Sequence, residues 1–345
     1  MKVGLSHMSF GAHARANIDL IHHAEKLGFH SVWTAEAYGS DAVSMASWIL
    51  AQTSTINVGT AIMQMPARSP AMTAMTAMTL DHLSGGRFIL GLGPSGPQVA
   101  EGWHGQAYGK PLTRTKEYIG IVRQILAREA PLEHQGEYYH IPNREEGASG
   151  LGKPLKSILH GNPDLPIFTA SISPNGLRCS GEVADGVFPM MLDPDRSQAL
   201  VLDHVEEGIA KTPGKSRADF TVAPSVSCIV GDYEQVSQPV KANMALYIGG
   251  MGARGKNFYN DYAKRMGFED AAVEIQDLYL DGKKQEAIAA VPDEMVDAVH
   301  LLGPEGKIRE RARDWKTAAE RGDLDLAIVG AMQPEALDIL AEEWL

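Results

Sequence analysis

INVGTAIMQMPARSP, residues 56–70, decides how the chain folds. Residues 56–62 are mostly β-branched or small and read as a buried strand. Ser69-Pro70 then stops extended structure and starts a helix at Ala71. The strand's end, Gly59-Thr60-Ala61-Ile62, has almost no side-chain bulk before Ile62. Small residues at such an end leave room for a flat group to lie against the backbone. The same residues also suit an ordinary tight turn between a strand and a helix.

Outward from this stretch the chain alternates strands and helices. Strands are expected over 2–7, 30–35, 56–62, 87–92, 165–170, 186–191, 220–230 and 324–329. Helices are expected over 15–27, 41–53, 71–82, 113–128, 174–184, 195–210, 293–301, 307–321 and 334–345. The strands are mostly apolar, which marks a parallel sheet covered by helices. Eight such units predict an α/β fold, a (β/α)8 TIM barrel with insertions, as one domain over 1–345. The insertions fall near 94–112, 130–165 and 233–290; the second carries a short hairpin around 138–141 and the third is largely helical. A doubly wound open sheet fits less well: no GxGxxG follows the first strand and no linker halves the chain. Met72, Met75 and Met78 recur every three residues and predict packing, in the core or between subunits.

Composition narrows the function. With 345 residues, 44% hydrophobic and 21% charged, the chain is of ordinary globular make-up. The formal net charge of −12 argues against nucleic acid or an anionic membrane as partner. No secretory leader and no apolar run of membrane-spanning length is expected, and the two cysteines, Cys179 and Cys228, stand in no metal or redox spacing. These features predict a cytoplasmic protein. Twelve histidines invite a metal site, but His22 and His23 are adjacent and diverge on a helix, and neither HxxxH nor HExxH occurs, so no metal is expected.

A barrel works at the C-terminal ends of its strands. Those ends are Ser6-His7-Met8-Ser9, Glu36, Ala61-Ile62-Met63-Gln64, Gly93-Pro94-Ser95-Gly96, Ala170-Ser171-Ile172-Ser173, Met190-Met191 and Gly330. They hold no Ser/His/Asp triad, carboxylate pair or Cys/His pair. They suit a flat aromatic cofactor better than a nucleophile. Ser171 and Ser173, before a helix that opens at Pro174, suit a phosphate or a plain N-cap. Glu36 after an apolar strand needs a partner or a helix N-terminus. His7 suits proton transfer, substrate contact or a structural hydrogen bond.

These strand ends resemble those of the bacterial luciferase-like flavin and deazaflavin oxidoreductases, most closely the branch dependent on coenzyme F420, which includes the methylenetetrahydromethanopterin reductases. The resemblance rests on AEKLGFHSVWTAE (24–36), VGTAIMQMPARSPAMTA (58–74), LSGGRFILGLGPSGPQVAEGWHGQAYGKPLTRTKEYI (83–119) and PIFTASISPNGLRCSGEVADGVFP (166–189). It implies a luciferase-like barrel, usually a homodimer, that passes a hydride between C5 of the deazaflavin and a small organic substrate in the mouth. It implies a non-prolyl cis peptide at Ala61–Ile62 behind the ring, with Gln64, Gly93, Pro94 and Ser95 along the ring or its ribityl chain. Ala170, Ser171 and Ser173 are implied near the tail phosphate, and Glu36 where many relatives place Asp beside the ring. His7, Glu36, Trp103 and His104 are then the candidates for substrate contact or proton transfer, Trp103-His104 in a Gly-rich loop suited to a lid. Relatives that oxidise glucose 6-phosphate carry Asp-His where this chain has Glu36-Ala37, and Gly-Glu where it has Ser95-Gly96. Sugar-phosphate oxidation is therefore not implied. The methanopterin reductases share the GPG-like fourth loop but usually carry Asp-His, so their substrate is not implied either. The alternatives are an FMN-dependent monooxygenase of the same fold and a member that binds cofactor without turnover.

Overall fold

The structure is a computed structural model that describes residues 1–8 and 12–345. Ser9, expected at the first strand's end, lies outside the described residues. The barrel strands are β1 (Lys2–His7), β2 (Ser31–Thr34), β3 (Asn57–Thr60), β4 (Phe88–Gly93), β5 (Ile167–Ala170), β6 (Gly186–Phe188), β7 (Ser225–Val230) and β8 (Leu326–Gly330). Neighbours pair in parallel in the order β6-β5-β4-β3-β2-β1-β8-β7. A short segment before β7, Thr221–Val222, pairs with β6, while Asp325 N donates to Val222 O at 2.9 Å. One continuous stretch thus meets β6 on one side and the β8 segment on the other, which closes the barrel.

Local chemistry sets the helix ends. Asn17 caps α1 (Ile18–Leu27), so Arg15 and Ala16 lie before the helix and not in it as expected. Gly28, at φ 88, ends it in the left-handed conformation. Asp41 caps α2 (Ala42–Gln52); Ser69 caps α3 (Pro70–Ser84), with Pro70 at its first position. α4 (Pro111–Ala127), α5 (Pro174–Val183) and α6 (Asp203–Ile209, prolonging a π-helical Gln198–Leu202) continue the outer ring.

Further expectations fail: the strands expected over 56–62 and 186–191 stop at Thr60 and Phe188. The strand expected over 220–230 breaks after Val222, because Pro224 has no N–H for the ladder. The helix expected over 293–301 stops at Val299: Leu301–Gly303 forms an added strand against Cys228–Val230. Tertiary pairing overrides a local pattern that continues the helix.

The insertion over 94–112 holds one helical turn, Pro97–Ala100, and that over 130–165 a hairpin, His134–Gln135 with His140–Ile141. That over 233–290 forms α7 (Tyr233–Ala245), α8 (Phe258–Arg265), α9 (Glu269–Leu280) and α10 (Lys284–Ala289). The ring ends with α11 (Asp293–Val299), α12 (Glu305–Glu320) and α13 (Pro334–Trp344). The methionine repeat splits. Met78 is buried while Met72 and Met75 are half exposed, since three-residue steps carry Met78 about 120° around the helix from Met72.

Most of the core lies between sheet and helices, but a second cluster fills the barrel itself: Trp33, Ile89, Phe168, Phe188, Ala223, Leu326 and Ile328. Trp33 meets Phe188 edge to face at 5.0 Å and stacks on Phe168 at 5.8 Å. These rings fit because β3 and β4 bring Gly59 and Gly91 to them. A Cβ on Gly59 would lie 2.4 Å from the Trp33 ring, and one on Gly91 2.8 Å from Phe188. Ala61, Ile62 and Ala170 pack onto this aromatic plug. The mouth therefore has a solid apolar floor.

Candidate active site

Three strand ends make the floor's upper surface. Thr60 ties β3 to β4: its hydroxyl donates to Gly91 O at 2.8 Å and accepts from Gly91 N at 3.0 Å. Beyond it the Ala61–Ile62 peptide is cis, and Ala61 N donates to Thr34 O at 2.6 Å. Ile62 lies against Gly93, where a Cβ would come within 2.9 Å of its side chain. Pro94 leads to Ser95, held at φ 59, and the turn Pro97–Ala100 follows. On β5, Ser173 caps α5 by accepting from Gly176 N at 3.2 Å. Ser171 Oγ fills the space beside Gly176, where a Cβ would be only 1.9 Å away. This serine pair at the opening of α5 presents small hydroxyls and free N–H groups together.

Glu36 is held from all sides. Its Oε2 accepts from Ala42 N at 2.9 Å and its Oε1 from Gln64 N at 2.7 Å. Arg68 grips both oxygens, the Nη1–Oε1 contact being the closer, with Nη2 at 3.2 Å from Oε2, and it also pairs with Asp41. The carboxylate side chain is only 7% exposed. A clamp of this kind meets the cost of burying the charge. Burial works against the Arg68 cation, but Glu36 and Asp41 outweigh it and raise its pKa. The expectation that Glu36 moves protons thus meets a carboxylate with both oxygens engaged.

The clamp extends to the fourth loop. Gln64 Nε2 donates to Glu36 O at 3.2 Å and Ala37 O at 3.0 Å, which turns its Oε1 toward His104. His104 Nε2 donates to that oxygen at 2.6 Å. Arg68, Glu36, Gln64 and His104 thus form one chain across three loops. His7 stands apart from it. It is buried, and its Nε2 donates to Arg15 O at 3.1 Å. Burial lowers its pKa, against the carbonyl contact, so the ring is neutral at pH 7. Trp103 is 66% exposed and joins none of these hydrogen bonds.

Two residues here were absent from the sequence reading. Arg68 lies inside the opening stretch, and the need of a buried carboxylate for a counterion was the signal that points to it. Arg265, on α8, donates through Nη2 to Ile172 O at 2.7 Å, between the two serines. Its Nη1 is buried without a partner. Nothing local in the sequence of the insertion signals that approach.

A cavity of about 380 Å³ lined by Asp193, Asp297, His300, Lys307, Arg311 and Asp314 lies by the N-terminal end of the added strand, away from these loops. Its charges pair with one another, Lys307 with Asp297 at 2.8 Å and Arg311 with Asp314 at 3.0 Å, so it leaves the strand ends as the candidate site. No cluster of three or more metal-ligating side chains occurs among the described residues, and no helix there is long and apolar enough to cross a membrane.

The sequence profile of the luciferase-like monooxygenases matches residues 1–321. A Mycobacterium tuberculosis protein provisionally named a coenzyme F420-dependent oxidoreductase is 42% identical over 92% of both chains. The 5,10-methylenetetrahydromethanopterin reductase of Archaeoglobus fulgidus is 25% identical over 93% of this chain and 92% of its own. Among solved structures, the coenzyme F420-dependent tetrahydromethanopterin reductase of Methanopyrus kandleri superposes with a TM-score of 0.78 at 22% identity, covering 99% of this chain and 98% of the other.

Proposed function

Because the chain belongs to the luciferase-like monooxygenase family, we propose that it is a coenzyme F420-dependent oxidoreductase working at the mouth of a single barrel domain. The observation that carries this reading is the floor of Ala61, Ile62 and Ala170 on an aromatic plug, which ends at Ser171, Ser173 and the unpartnered Nη1 of Arg265. A flat ring fits the floor and a phosphate fits that end. The relatives' names favour the deazaflavin over FMN.

When bound, the deazaflavin supplies a carbon, C5, that gives or takes a hydride. The chain binds, orients and shields. Ala61, Ile62, Gly93, Pro94 and Ser95 bear the ring; Ser171, Ser173, the opening of α5 and Arg265 take the phosphate. Glu36 is a positioning residue: clamped by Arg68, it holds Gln64, and Gln64 holds His104. His7 and His104 lie beside the mouth, and either can relay a proton to a small substrate. Trp103 takes part only if its loop closes.

The wider reading follows the resemblance. Trp48 on α2 and Met72 and Met75 on α3 are more than half exposed, and we assign this face to a homodimer contact, tested by light scattering. Both cysteines are buried thiols, raised by burial to about 11 for Cys179 and about 12 for Cys228, which suits a reducing cytoplasm. Titration of the purified protein with F420 and with FMN tests the cofactor. Tight F420 binding with weak FMN binding is expected; the reverse points to a flavin monooxygenase. Absence of F420 redox change with every substrate tried would mark a non-catalytic binder.

A further inference from the structure

The insertion between β7 and α11 carries aromatic side chains that the reading above leaves unused. Tyr247 lies in the π-helical turn Leu246–Gly250 that prolongs α7, and Tyr259 in the first turn of α8. Their rings meet edge to face with centroids 4.7 Å apart. Tyr38, two residues past Glu36 in the loop after β2, is close enough to Tyr247 to oppose its ionisation. Tyr108, four residues past His104 in the loop after β4, stands in the same relation to Tyr259. Four phenols from three separate segments thus gather at the end of the barrel where Glu36, Gln64 and His104 meet.

Among the described residues their hydroxyls have no hydrogen-bond partner, and none is sealed from solvent. Some phenols elsewhere are paired, the Tyr138 hydroxyl accepting from Lys110 N and that of Tyr118 meeting Thr73, while that of Tyr262 is buried without a partner. Desolvation raises the pKa of Tyr108, Tyr247 and Tyr259, so these phenols stay protonated and act as donors. A half-buried donor without an acceptor costs free energy unless water or a ligand supplies one. Glu36 and Asp41 are already bound to Arg68, and Glu101 accepts from Tyr108 N at 3.0 Å. Ring faces with hydroxyls at their tips suit an uncharged aromatic or conjugated guest.

We propose that Tyr38, Tyr108, Tyr247 and Tyr259 form the substrate site, built for a neutral, planar, unsaturated molecule that carries a carbonyl oxygen. The rings cover its faces and a phenol donates to its oxygen. The proposal deepens the F420 reading, which supplies the hydride partner, but the binding itself does not depend on it.

Calorimetric titration tests it with three probes: coumarin, which has the shape and the carbonyl; naphthalene, which has the shape alone; and glucose 6-phosphate, which is saturated and anionic. F420-loaded protein is expected to bind the first two and not the third. Among the four single Tyr→Phe variants, at least one weakens coumarin roughly three- to tenfold and leaves naphthalene unchanged. Tyr247→Leu and Tyr259→Leu weaken both aromatic probes, by about tenfold or more, with F420 affinity unchanged. The proposal falls if the Phe series leaves coumarin unaltered, if the Leu variants retain both probes, or if glucose 6-phosphate binds the tightest. The Phe variants keep every ring, so they report even where a Leu variant misfolds. Titrating cofactor-free protein separates the two readings: aromatic binding without any F420 binding keeps the tyrosine site and refutes the cofactor assignment.

Discussion

Arg68→Met tests the clamp that organises the mouth. Methionine keeps much of the apolar stem but removes the cation between Glu36 and Asp41. Glu36 then retains only Ala42 N and Gln64 N as donors, in a site where its side chain is 7% exposed. Stranding a buried carboxylate costs about 3–5 kcal/mol. The two N–H donors and the opening of α2 offset part of this, leaving about 2–4 kcal/mol. For 345 residues the unfolding entropy is about 0.7 kcal/mol/K, so the expected fall in Tm is roughly 3–6 °C. Because Gln64 hangs on Glu36, and His104 on Gln64, F420 affinity should fall as well, by about tenfold. Calorimetry and fluorescence titration measure the two effects. The double variant Glu36→Gln/Arg68→Met, with no stranded charge, should lose less than the sum of the single changes. Arg68→Met with Tm and F420 affinity indistinguishable from the parent's would refute the clamp.

Three further outcomes follow from the same structure. Arg265→Met, which removes the cation beside Ile172 O, should weaken F420 binding about tenfold while leaving riboflavin-sized, phosphate-free analogues unaffected. Gly91→Ala drives a Cβ to 1.7 Å from Thr60 O and should cost about 3 kcal/mol or more in thermal melts, whereas Gly120→Ala on α4, with nothing nearby, should be neutral or stabilising. Burial raises the pKa of Glu25, but N–H groups of Thr55, Ile56 and Ser54 together overcome it and hold the carboxyl at about 2. A depressed carboxyl pKa adds stability above its unfolded value, near 4.5, that is lost as pH falls toward 2. Glu25→Gln should therefore cost about 1–2 kcal/mol at pH 7, discounted for solvent screening, and flatten denaturant stability between those pH values.

Much of the architecture was legible because periodicity and caps are local signals. β1 spans Lys2–His7 as expected, and α3 begins at Pro70, one residue before the expected Ala71, where Ser69-Pro70 marks it. What escaped was long-range. Leu301–Gly303 looks like the tail of a helix until Cys228–Val230 pairs with it. The aromatic plug depends on Trp33, Phe168 and Phe188 from three strands meeting where glycines give way, which no single segment reveals. In the site, the bare strand ends were readable from small residues, and Glu36 as a buried charge in need of a partner. Its partner Arg68, the reach of Arg265 and the gathering of the tyrosines are products of tertiary structure.

The central claim is that the floor of Ala61, Ile62 and Ala170 carries a deazaflavin whose phosphate sits at α5. A crystal structure of the protein with F420 tests this most directly. The account predicts the ring on that floor beside Ile62 and Gly93, with the phosphate contacting Ser171, Ser173 and Arg265. A ring bound away from the floor, or a phosphate that touches none of those three residues, would contradict it.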